Sequence, residues 1–258
     1  MKRQIKSGFK KIFAPVASRM GYVKNSKQAN VLPGKNDLLQ NFYIVLQQIS
    51  FTPKHIVDVG ANHGTWTRET LNYFPDAYYT LLEPQRQMED SIKDILKDNK
   101  KVKFHAAGAG KKPGTFKFTI VDRDDSCSFL YSQEEAAKMG FTQIEVPVVT
   151  LNEFLPTTNL PAPDLIKIDA EGLDLEVLSG ADRYFGQTEI FMVEAGVVNK
   201  GFDNSVLKLL AFMDEHGYRL FDFTDLNRPL KLHVLWLVEM VFIKKDGVID
   251  KAINSNIQ

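Results

Sequence analysis

Apolar and polar residues follow two different periods along this chain, and the two periods alternate from segment to segment. Short apolar runs rich in β-branched residues are typical of buried strands, whereas apolar residues at every third or fourth position are typical of amphipathic helices. The strand pattern predicts parallel strands at 56–59, 78–82, 102–110 (which runs into a glycine-rich loop), 164–168 and 189–194. Helical spacing predicts helices at 37–49, 85–99, 172–185 and 203–216, and one that begins near Thr65.

Four further strand candidates complete the pattern. Segments 116–121 and 144–149 have the alternation of antiparallel strands, and segments 218–223 and 236–243 are the last two. Because only a loop joins the last two, without a helical crossover, they are predicted to be antiparallel neighbours. The whole pattern predicts an α/β fold: a doubly wound, seven-stranded, mostly parallel sheet with an antiparallel C-terminal strand and additional N-terminal helices.

The first 50 residues are predicted to precede the main domain, which is assigned to 51–258. Residues 2–20 combine apolar positions at helical spacing with six Lys or Arg, so they predict a basic amphipathic helix that Pro15 breaks or kinks. A polar linker follows at 24–37. Two interpretations stay open: the helix contacts anionic lipid or a partner at the membrane periphery, or it packs on the acidic body of the protein.

Charge and cysteine content limit the binding partners and the cellular compartment that are expected. The formal net charge is zero, but residues 1–36 contain nine Lys or Arg and no Asp or Glu, so the remainder carries a net charge of −9. A broad basic surface is lacking there, and no nucleic-acid partner is expected. The single cysteine, Cys127, suits a reducing compartment. Because the chain has neither an apolar stretch of bilayer length nor a secretory signal, a cytoplasmic location is expected.

The most informative motif is the glycine turn after the first predicted strand. Such a turn brings bare backbone N–H groups and a helix N-terminus close to a ligand, as in α/β proteins that bind nucleotide-like cofactors. A dinucleotide motif has its second glycine where this chain has Asn62, and Asp58 would repel a pyrophosphate. Asp58 would instead attract a sulfonium beside Gly60 and Gly64, which indicates S-adenosylmethionine. An ordinary glycine-capped turn is the alternative.

Residues after the next two strands fit the rest of this cofactor. Glu83 ends the second strand, where a carboxylate can accept hydrogen bonds from both ribose hydroxyls. Alternatively, Glu83 offsets the dipole of the following helix. Ala107 belongs to a small-residue segment that leaves room for a flat adenine ring. Asp125 and Ser126 are predicted to reach the adenine amino group.

A second group of carboxylates follows the fourth and fifth predicted strands. Asp169 ends one strand, Glu171 lies two residues later, and Glu194 ends the neighbouring strand. These carboxylates suit the deprotonation of a hydroxyl or amine nucleophile. Asp169 and Glu194 could equally hold a divalent cation that lowers the pKa of a hydroxyl. In the structural alternative, Asp169 pairs with Lys167 and Glu171 caps the next helix.

These segments together resemble the FkbM family of S-adenosylmethionine-dependent methyltransferases. The matching stretches are VDVGANHG at 57–64, the pair Glu83-Pro84, IKIDAEGLDLEVLSGA at 166–181 and VEA at 193–195. The resemblance spans residues 55–245 and fits the predicted sheet, which is the architecture of Rossmann-like class I methyltransferases.

The resemblance implies roles for individual residues. Glu83 would hold the ribose, and Asp169 with Glu171 would face the methyl-transfer site. The methionine end of the cofactor would be lined by Asp58, Gly60, Ala61, Asn62 and Gly64. Family members are usually O-methyltransferases acting on sugars or secondary metabolites, so a small-molecule or glycan acceptor is expected.

Two other functions stay open. An NAD-dependent Rossmann enzyme would share the sheet and the ribose carboxylate, but the missing middle glycine counts against it. A catalytically inactive cofactor-binding module, anchored by the basic helix, is disfavoured by the carboxylates at the strand ends.

Overall fold

The computed structural model describes residues 37–121, 127–198, 204–228 and 233–257. The predicted basic helix at 2–20 and the predicted adenine contacts Asp125 and Ser126 lie outside these described residues. No helix in the described ranges is long and apolar enough to cross a membrane.

The described residues form ten strands in two sheets. In chain order they are β1 (His55–Val59), β2 (Tyr78–Leu82), β3 (Val102–His105), β4 (Gly108–Ala109), β5 (Gly114–Ile120), β6 (Thr142–Val149), β7 (Leu165–Ile168), β8 (Ile190–Gly196), β9 (Tyr218–Asn227) and β10 (Leu237–Lys244).

The large sheet has the strand order β3-β2-β1-β7-β8-β10-β9. Strands β3, β2, β1, β7 and β8 run parallel, and β10 runs antiparallel to both β8 and β9. The predicted seven-stranded, mostly parallel sheet with its antiparallel C-terminal strand is therefore confirmed. The small sheet has the order β4-β6-β5, and β5 and β6, both predicted as strands of antiparallel type, pair antiparallel with each other.

The helices alternate with the strands. In chain order they are α1 (Leu38–Gln48), α2 (Thr65–Tyr73), α3 (Lys93–Asp98), α4 (Gln133–Met139), α5 (Leu151–Phe154), α6 (Asp174–Ser179), α7 (Val206–Glu215) and α8 (Val248–Ile257). Short 3₁₀ turns at Arg86–Ile92, Leu155–Thr158 and Asp182–Tyr184 join some of them.

Two predicted helices are shorter than expected, and three helices of the described residues (α4, α5 and α8) were not predicted. The predicted helix at 85–99 is a 3₁₀ turn followed by α3, and the one at 172–185 stops at Gly180. Gly180 lies directly against the loop after β4, since a Cβ there would lie 2.1 Å from the carbonyl oxygen of Gly110. Helix α4, in the segment between β5 and β6, begins with a capping box between Ser132 and Glu135. Helix α8 near the C-terminus was not predicted.

The core consists of two apolar layers, one on each face of the large sheet. One layer contains Val57 of β1 and Ile166 of β7. The other contains their neighbours Ile56 and Leu165. Both faces are covered, which explains why these strands are almost continuously apolar. A charged residue at a core-facing position of such a strand is therefore conspicuous.

Helix α1 belongs to the second of these layers. Its Phe42, Tyr43 and Leu46 are fully buried and share one cluster with Ile56 and Val241 of the sheet. The predicted boundary at residue 50 thus falls between elements that share one hydrophobic core.

Removing part of this packing tests whether α1 stabilises the domain. We expect Leu46→Ala to lower the free energy of unfolding by about 2–5 kcal/mol, because it leaves a cavity in a packed core. The exposed neighbour Gln47 provides the control, since Gln47→Ala should change stability by less than about 0.5 kcal/mol. Urea titration followed by circular dichroism measures both variants. Equal stability of the two would mean that α1 does not contribute to the fold.

Candidate active site

The turn after β1 requires glycine at its first position. Gly60 has a φ of +78°, and a Cβ there would lie 1.9 Å from the carbonyl oxygen of Asp169, at the end of β7. Only glycine allows this close approach without strain. Asn62, in place of the second glycine of a dinucleotide motif, has a φ of +45°, which asparagine tolerates better than most residues.

The N–H groups of this turn are engaged within the protein. Those of Gly60 and Ala61 donate to the carbonyl of Leu82 at 2.9 and 3.2 Å, and that of Gly64 donates to Ala61 at 2.7 Å. The N–H of Asn62 donates to the carboxylate of Glu83. The expectation of bare N–H groups was wrong at these four positions, because the turn uses them to bind β2 and to close on itself.

Glu83 is fixed at the end of β2 by backbone hydrogen bonds. Its Oε2 accepts from the N–H of Asn62 at 3.0 Å, and its Oε1 accepts from the N–H of Gln85 at 2.8 Å. The side chain is buried, and burial raises the pKa of Glu83 against the opposing effect of these two N–H groups. A carboxylate oxygen accepts more than one hydrogen bond, so both oxygens can still accept from a ligand.

Several of the predicted site residues line one cavity beyond the carboxyl ends of the strands. The predicted residues on its wall are Gly60, Asn62, Glu83, Asp169 and Glu171. The remaining wall residues are Val59, Leu82, Pro84, Gln85, Gly108, Ala109, Phe118, Cys127, Phe129 and Ala170. Sequence patterns had not indicated Phe118, Cys127 and Phe129, which come from β5 of the small sheet and from the segment between β5 and β6. We call this space the donor cavity.

Other predicted residues lie behind this wall or beside it. Ala61 and Ala107 are buried next to lining residues, and Gly64 packs against Ile92, whose Cγ2 would lie 2.5 Å from an added Cβ. Asp58 and Glu194 are likewise absent from the lining.

Asp58 and Asp169 are connected by a buried lysine. Lys167 Nζ lies 3.1 Å from Asp169 Oδ2 and 3.7 Å from Asp58 Oδ1, so the pairing of Lys167 with Asp169 is present in the structure. Burial lowers the pKa of Lys167, but Asp169 and Asp58 outweigh this effect and the pKa is raised. Asp58 is fully buried and also accepts a hydrogen bond from Thr67 Oγ1 at 2.6 Å. Asp58 thus supports Lys167 from beneath the cavity.

More carboxylates lie on the neighbouring strands. Glu194 on β8 is opposite Glu239 on β10, which is opposite Asp225 on β9. Burial, Asp169 and further carboxylates raise the pKa of Glu194. Burial raises the pKa of Glu239 to about 7, although Lys167 and a hydrogen bond from Thr224 oppose the shift. Glu239 was not predicted from the sequence, although its charge interrupts an apolar, core-facing strand.

Asp174 and Asn204 were also missed. Asp174 Oδ1 accepts from the N–H of Ala170 at 3.1 Å, and its Oδ2 accepts from Gly172 at 3.2 Å and from Asn204 Nδ2 at 2.6 Å. Burial, followed by the charge of Asp169, raises the pKa of Asp174 to about 7. The N-cap of α6 is Leu173, so the alternative role of Glu171 as the helix cap was wrong.

The structure does not support the predicted divalent cation. Within the described ranges, no group of three or more His, Cys, Asp or Glu residues is arranged to hold a metal ion. Asp169 and Glu194 therefore lack the further ligands that a protein cation site ordinarily provides.

A second, larger cavity adjoins the donor cavity. It has a volume of about 460 Å³ and shares Ala109 and Phe129 with its neighbour. Its remaining wall residues are Gly110, Lys111, Lys112, Phe116, Val148, Leu173 and Glu176. We call it the side cavity.

The strand order and the site beyond the parallel strand ends define a Rossmann-like class I methyltransferase fold. The family model of the methyltransferase FkbM domain matches residues 58–220. The chain therefore belongs to the FkbM methyltransferase family.

One curated relative is a methyltransferase by name. Methyltransferase 1 from Beauveria bassiana (strain ARSEF 2860) is 27% identical over 150 residues, which cover 49% of this chain and 58% of the relative. The match thus spans little more than half the length of that protein.

Similar solved structures are also methyltransferases. Precorrin-6y C5,15-methyltransferase from Geobacter metallireducens is 16% identical, with 84% of this chain and 94% of that chain covered and a TM-score of 0.45. An rRNA methylase from Streptococcus thermophilus is 10% identical, with 83% and 99% covered and a TM-score of 0.48. The N1-methyltransferase of 1,6-didemethyltoxoflavin from Burkholderia thailandensis, solved with S-adenosylhomocysteine, is 10% identical, with 82% and 80% covered and a TM-score of 0.46.

The raised pKa of Glu239 predicts a specific pH dependence of stability. Its pKa rises from the ordinary value of 4.5 to about 7 in the folded protein, so folding takes up a proton between these two values. This contribution to stability is present below pH 4.5 and is lost as the pH rises through 7. Glu239→Gln removes the titration, and we expect the variant to be more stable than the wild type at pH 8, by about 1–3 kcal/mol, with a smaller difference at pH 5.

Thermal unfolding at both pH values measures this difference. Glu145→Gln is the control, because Glu145 is exposed on a strand of the small sheet and should show no such pH dependence. A Glu239→Gln variant that is less stable than the wild type at pH 8 would contradict the buried, proton-binding role of Glu239.

Proposed function

We propose that this protein is an S-adenosylmethionine-dependent methyltransferase that methylates a hydroxyl group of a small-molecule or glycan acceptor. The observation that carries the proposal is a single cavity on whose wall the glycine turn, Glu83 and the turn of Asp169 and Glu171 come together. Membership of the FkbM family supports a methyl donor over the nicotinamide cofactor that the sheet alone would also suit.

The residues of the donor cavity fit this cofactor. Glu83 is held by two backbone N–H groups and can accept further hydrogen bonds, as two ribose hydroxyls require. Gly108 and Ala109 provide a side-chain-poor wall for a flat adenine ring. Ala107 lies directly before them, and Asp125 and Ser126 are proposed to complete this end of the site.

At the other end, the glycine turn would hold the methionine part. Gly60 and Asn62 line the cavity there, and Ala61 and Gly64 shape the turn from behind. Asp58 would act through Lys167, which it contacts beneath the cavity, because its own side chain does not reach the wall.

Bound in this cavity, S-adenosylmethionine supplies an electrophilic methyl group on a sulfonium. Asp169 is proposed to accept the proton that the acceptor hydroxyl loses as its oxygen bonds to the methyl carbon. The bond from that carbon to sulfur would break in the same step, and S-adenosylhomocysteine would leave. The side chain of Asp169 is 38% exposed and is oriented by Lys167, so it can contact both the protein and an acceptor. Glu171 is proposed to support Asp169 from the wall of the donor cavity, and Glu194 from outside that lining. Much of the rate would come from holding the two reactants in line.

The side cavity supports a small acceptor. Its volume of about 460 Å³ lies within the range of pockets that bind small molecules, and it adjoins the donor cavity. The net charge of −9 outside residues 1–36 disfavours a nucleic-acid acceptor. The basic residues within 2–20 favour a peripheral contact with anionic lipid, which would suit a lipid-linked glycan.

Labelled S-adenosylmethionine tests the proposal directly. Incubation with fractions of a cell extract should label at least one compound, and mass spectrometry should identify its methylated oxygen. Calorimetric titration with S-adenosylhomocysteine should show binding, and titration with NAD should show none. Binding of NAD, or of neither compound, would overturn the proposal, and binding without any transfer would favour the inactive module.

Replacement of Glu83 tests the ribose contact. Glu83→Gln keeps the side-chain shape but replaces one accepting oxygen with a donor. We expect the affinity for S-adenosylhomocysteine to fall by about 10-fold or more, because hydrogen bonds to a charged group are lost. The control is Glu89→Gln, at an exposed residue of the following 3₁₀ turn. Unchanged affinity in calorimetry would remove Glu83 from the donor site.

Replacement of Asp169 tests its role as the base. We expect Asp169→Asn to lower turnover by about 10²–10⁴-fold, as for the loss of a general base, while the affinity for S-adenosylhomocysteine changes less than about threefold. Labelled methyl transfer and calorimetry measure the two quantities. Asp98→Asn, at an exposed residue of α3, is the control. Equal losses of turnover and affinity would indicate a structural role for Asp169.

A further inference from the structure

The turn between β7 and α6 contains a residue in an uncommon backbone conformation. Glu171 has a φ of +50° and is followed by Gly172 with a φ of +94°. A left-handed conformation costs a residue other than glycine about 1–2 kcal/mol, so the surrounding structure must hold it there. Glu171 lies on the wall of the donor cavity, and under the proposed function the direction of its side chain would matter for the reaction.

Asp174 holds this conformation from both sides of Glu171. Its two carboxylate oxygens accept the N–H groups of Ala170 and Gly172, which are the residues before and after Glu171. Asp174 is fully buried and is absent from the linings of both cavities. Burial of a carboxylate is unfavourable unless hydrogen bonds compensate it, so its position here requires these N–H partners.

Asn204 extends the connection to the next strand. Its side-chain amide Nδ2 donates to Asp174 Oδ2 at 2.6 Å and to the backbone carbonyl of Glu194 at 2.7 Å. The backbone carbonyl of Asn204 also accepts from the N–H of Gly196 at 2.8 Å. The turn that carries Glu171 and the strand end that carries Glu194 are thus joined through two buried side chains.

We propose that Asp174 and Asn204 are positioning residues that fix Glu171 and Glu194 relative to each other for methyl transfer. The inference rests on the proposed function for its catalytic meaning, whereas the restraint on the turn is independent of it. Neither residue needs to contact donor or acceptor. Loss of the connection should therefore affect turnover far more than donor affinity.

Three variants separate this role from a general loss of stability. Asp174→Asn places an NH₂ group against N–H donors. Asn204→Asp places a second carboxylate beside Asp174, and these two groups can share a hydrogen bond only after one proton is bound. The double variant Asp174→Asn/Asn204→Asp, called the exchanged pair, restores a donor–acceptor pair between positions 174 and 204. Asp182→Asn is the matched control, because Asp182 is exposed just after α6.

We expect Asp174→Asn to lower kcat about 10- to 100-fold, the size of effect that a small misplacement produces, with little change in KM or in the affinity for S-adenosylhomocysteine. The exchanged pair should recover only part of this loss at pH 8. It restores the contact between positions 174 and 204, but an amide NH₂ still faces the N–H of Ala170 or Gly172, and a carboxylate faces the carbonyl of Glu194. For Asn204→Asp, the ratio of its kcat to that of the wild type should rise as the pH falls from 8 to 6. A merely structural role would instead lower kcat, donor affinity and global stability together.

Hydrogen–deuterium exchange of the ligand-free protein gives a readout that needs no activity. Peptides covering 169–173 should exchange faster in Asp174→Asn, while peptides from β1 and β2 stay unchanged. Unchanged exchange at 169–173 would overturn the inference, as would parallel losses of kcat, donor affinity and global stability. If the wild type transfers no methyl group, the proposed function fails, and the exchange result alone still decides whether the two residues hold the turn.

Discussion

The site depends on the close contact between the turn after β1 and the turn after β7. The missing Cβ of Gly60 allows the carbonyl of Asp169 to approach, and the N–H of Asp169 donates to the carbonyl of Val59 at 3.0 Å. Because these two strands are neighbours in the sheet, the contact brings the donor turn next to the proposed base. A side chain at position 60 would separate the two halves of the site, whatever the remaining residues were.

Charge is the second constraint on this region. Lys167 lies between Asp58 and Asp169, while Glu194, Glu239 and Asp225 follow on the neighbouring strands. Burial makes the carboxylates hold protons more tightly, as the pKa values of about 7 for Glu239 and Asp174 show. A cluster of this kind does not stabilise the fold at neutral pH, so its presence at the strand ends fits a role in chemistry rather than in folding.

Local sequence pattern predicted the elements that depend on short segments alone. The apolar strands, the antiparallel C-terminal pair and the glycine turn follow from spacing within such segments, and the structure confirms the sheet. Helix α4 was missed because its residues are mostly polar, although Ser132 and Glu135 formed a recognisable capping box. The role of Asp174 could not be found in the same way, because one of its three partners, Asn204, lies 30 residues further along the chain.

By itself, the sequence determined the class of fold, the family and the segments that reach the strand ends, because hydrophobic period and glycine position are local properties of the chain. Only the tertiary structure decided which side chains meet. It placed Asp58 beneath the cavity, Glu83 between two backbone N–H groups, and Glu239 opposite Glu194. These relations depend on strand register and on burial, and both are set by the packing of residues that are distant in sequence.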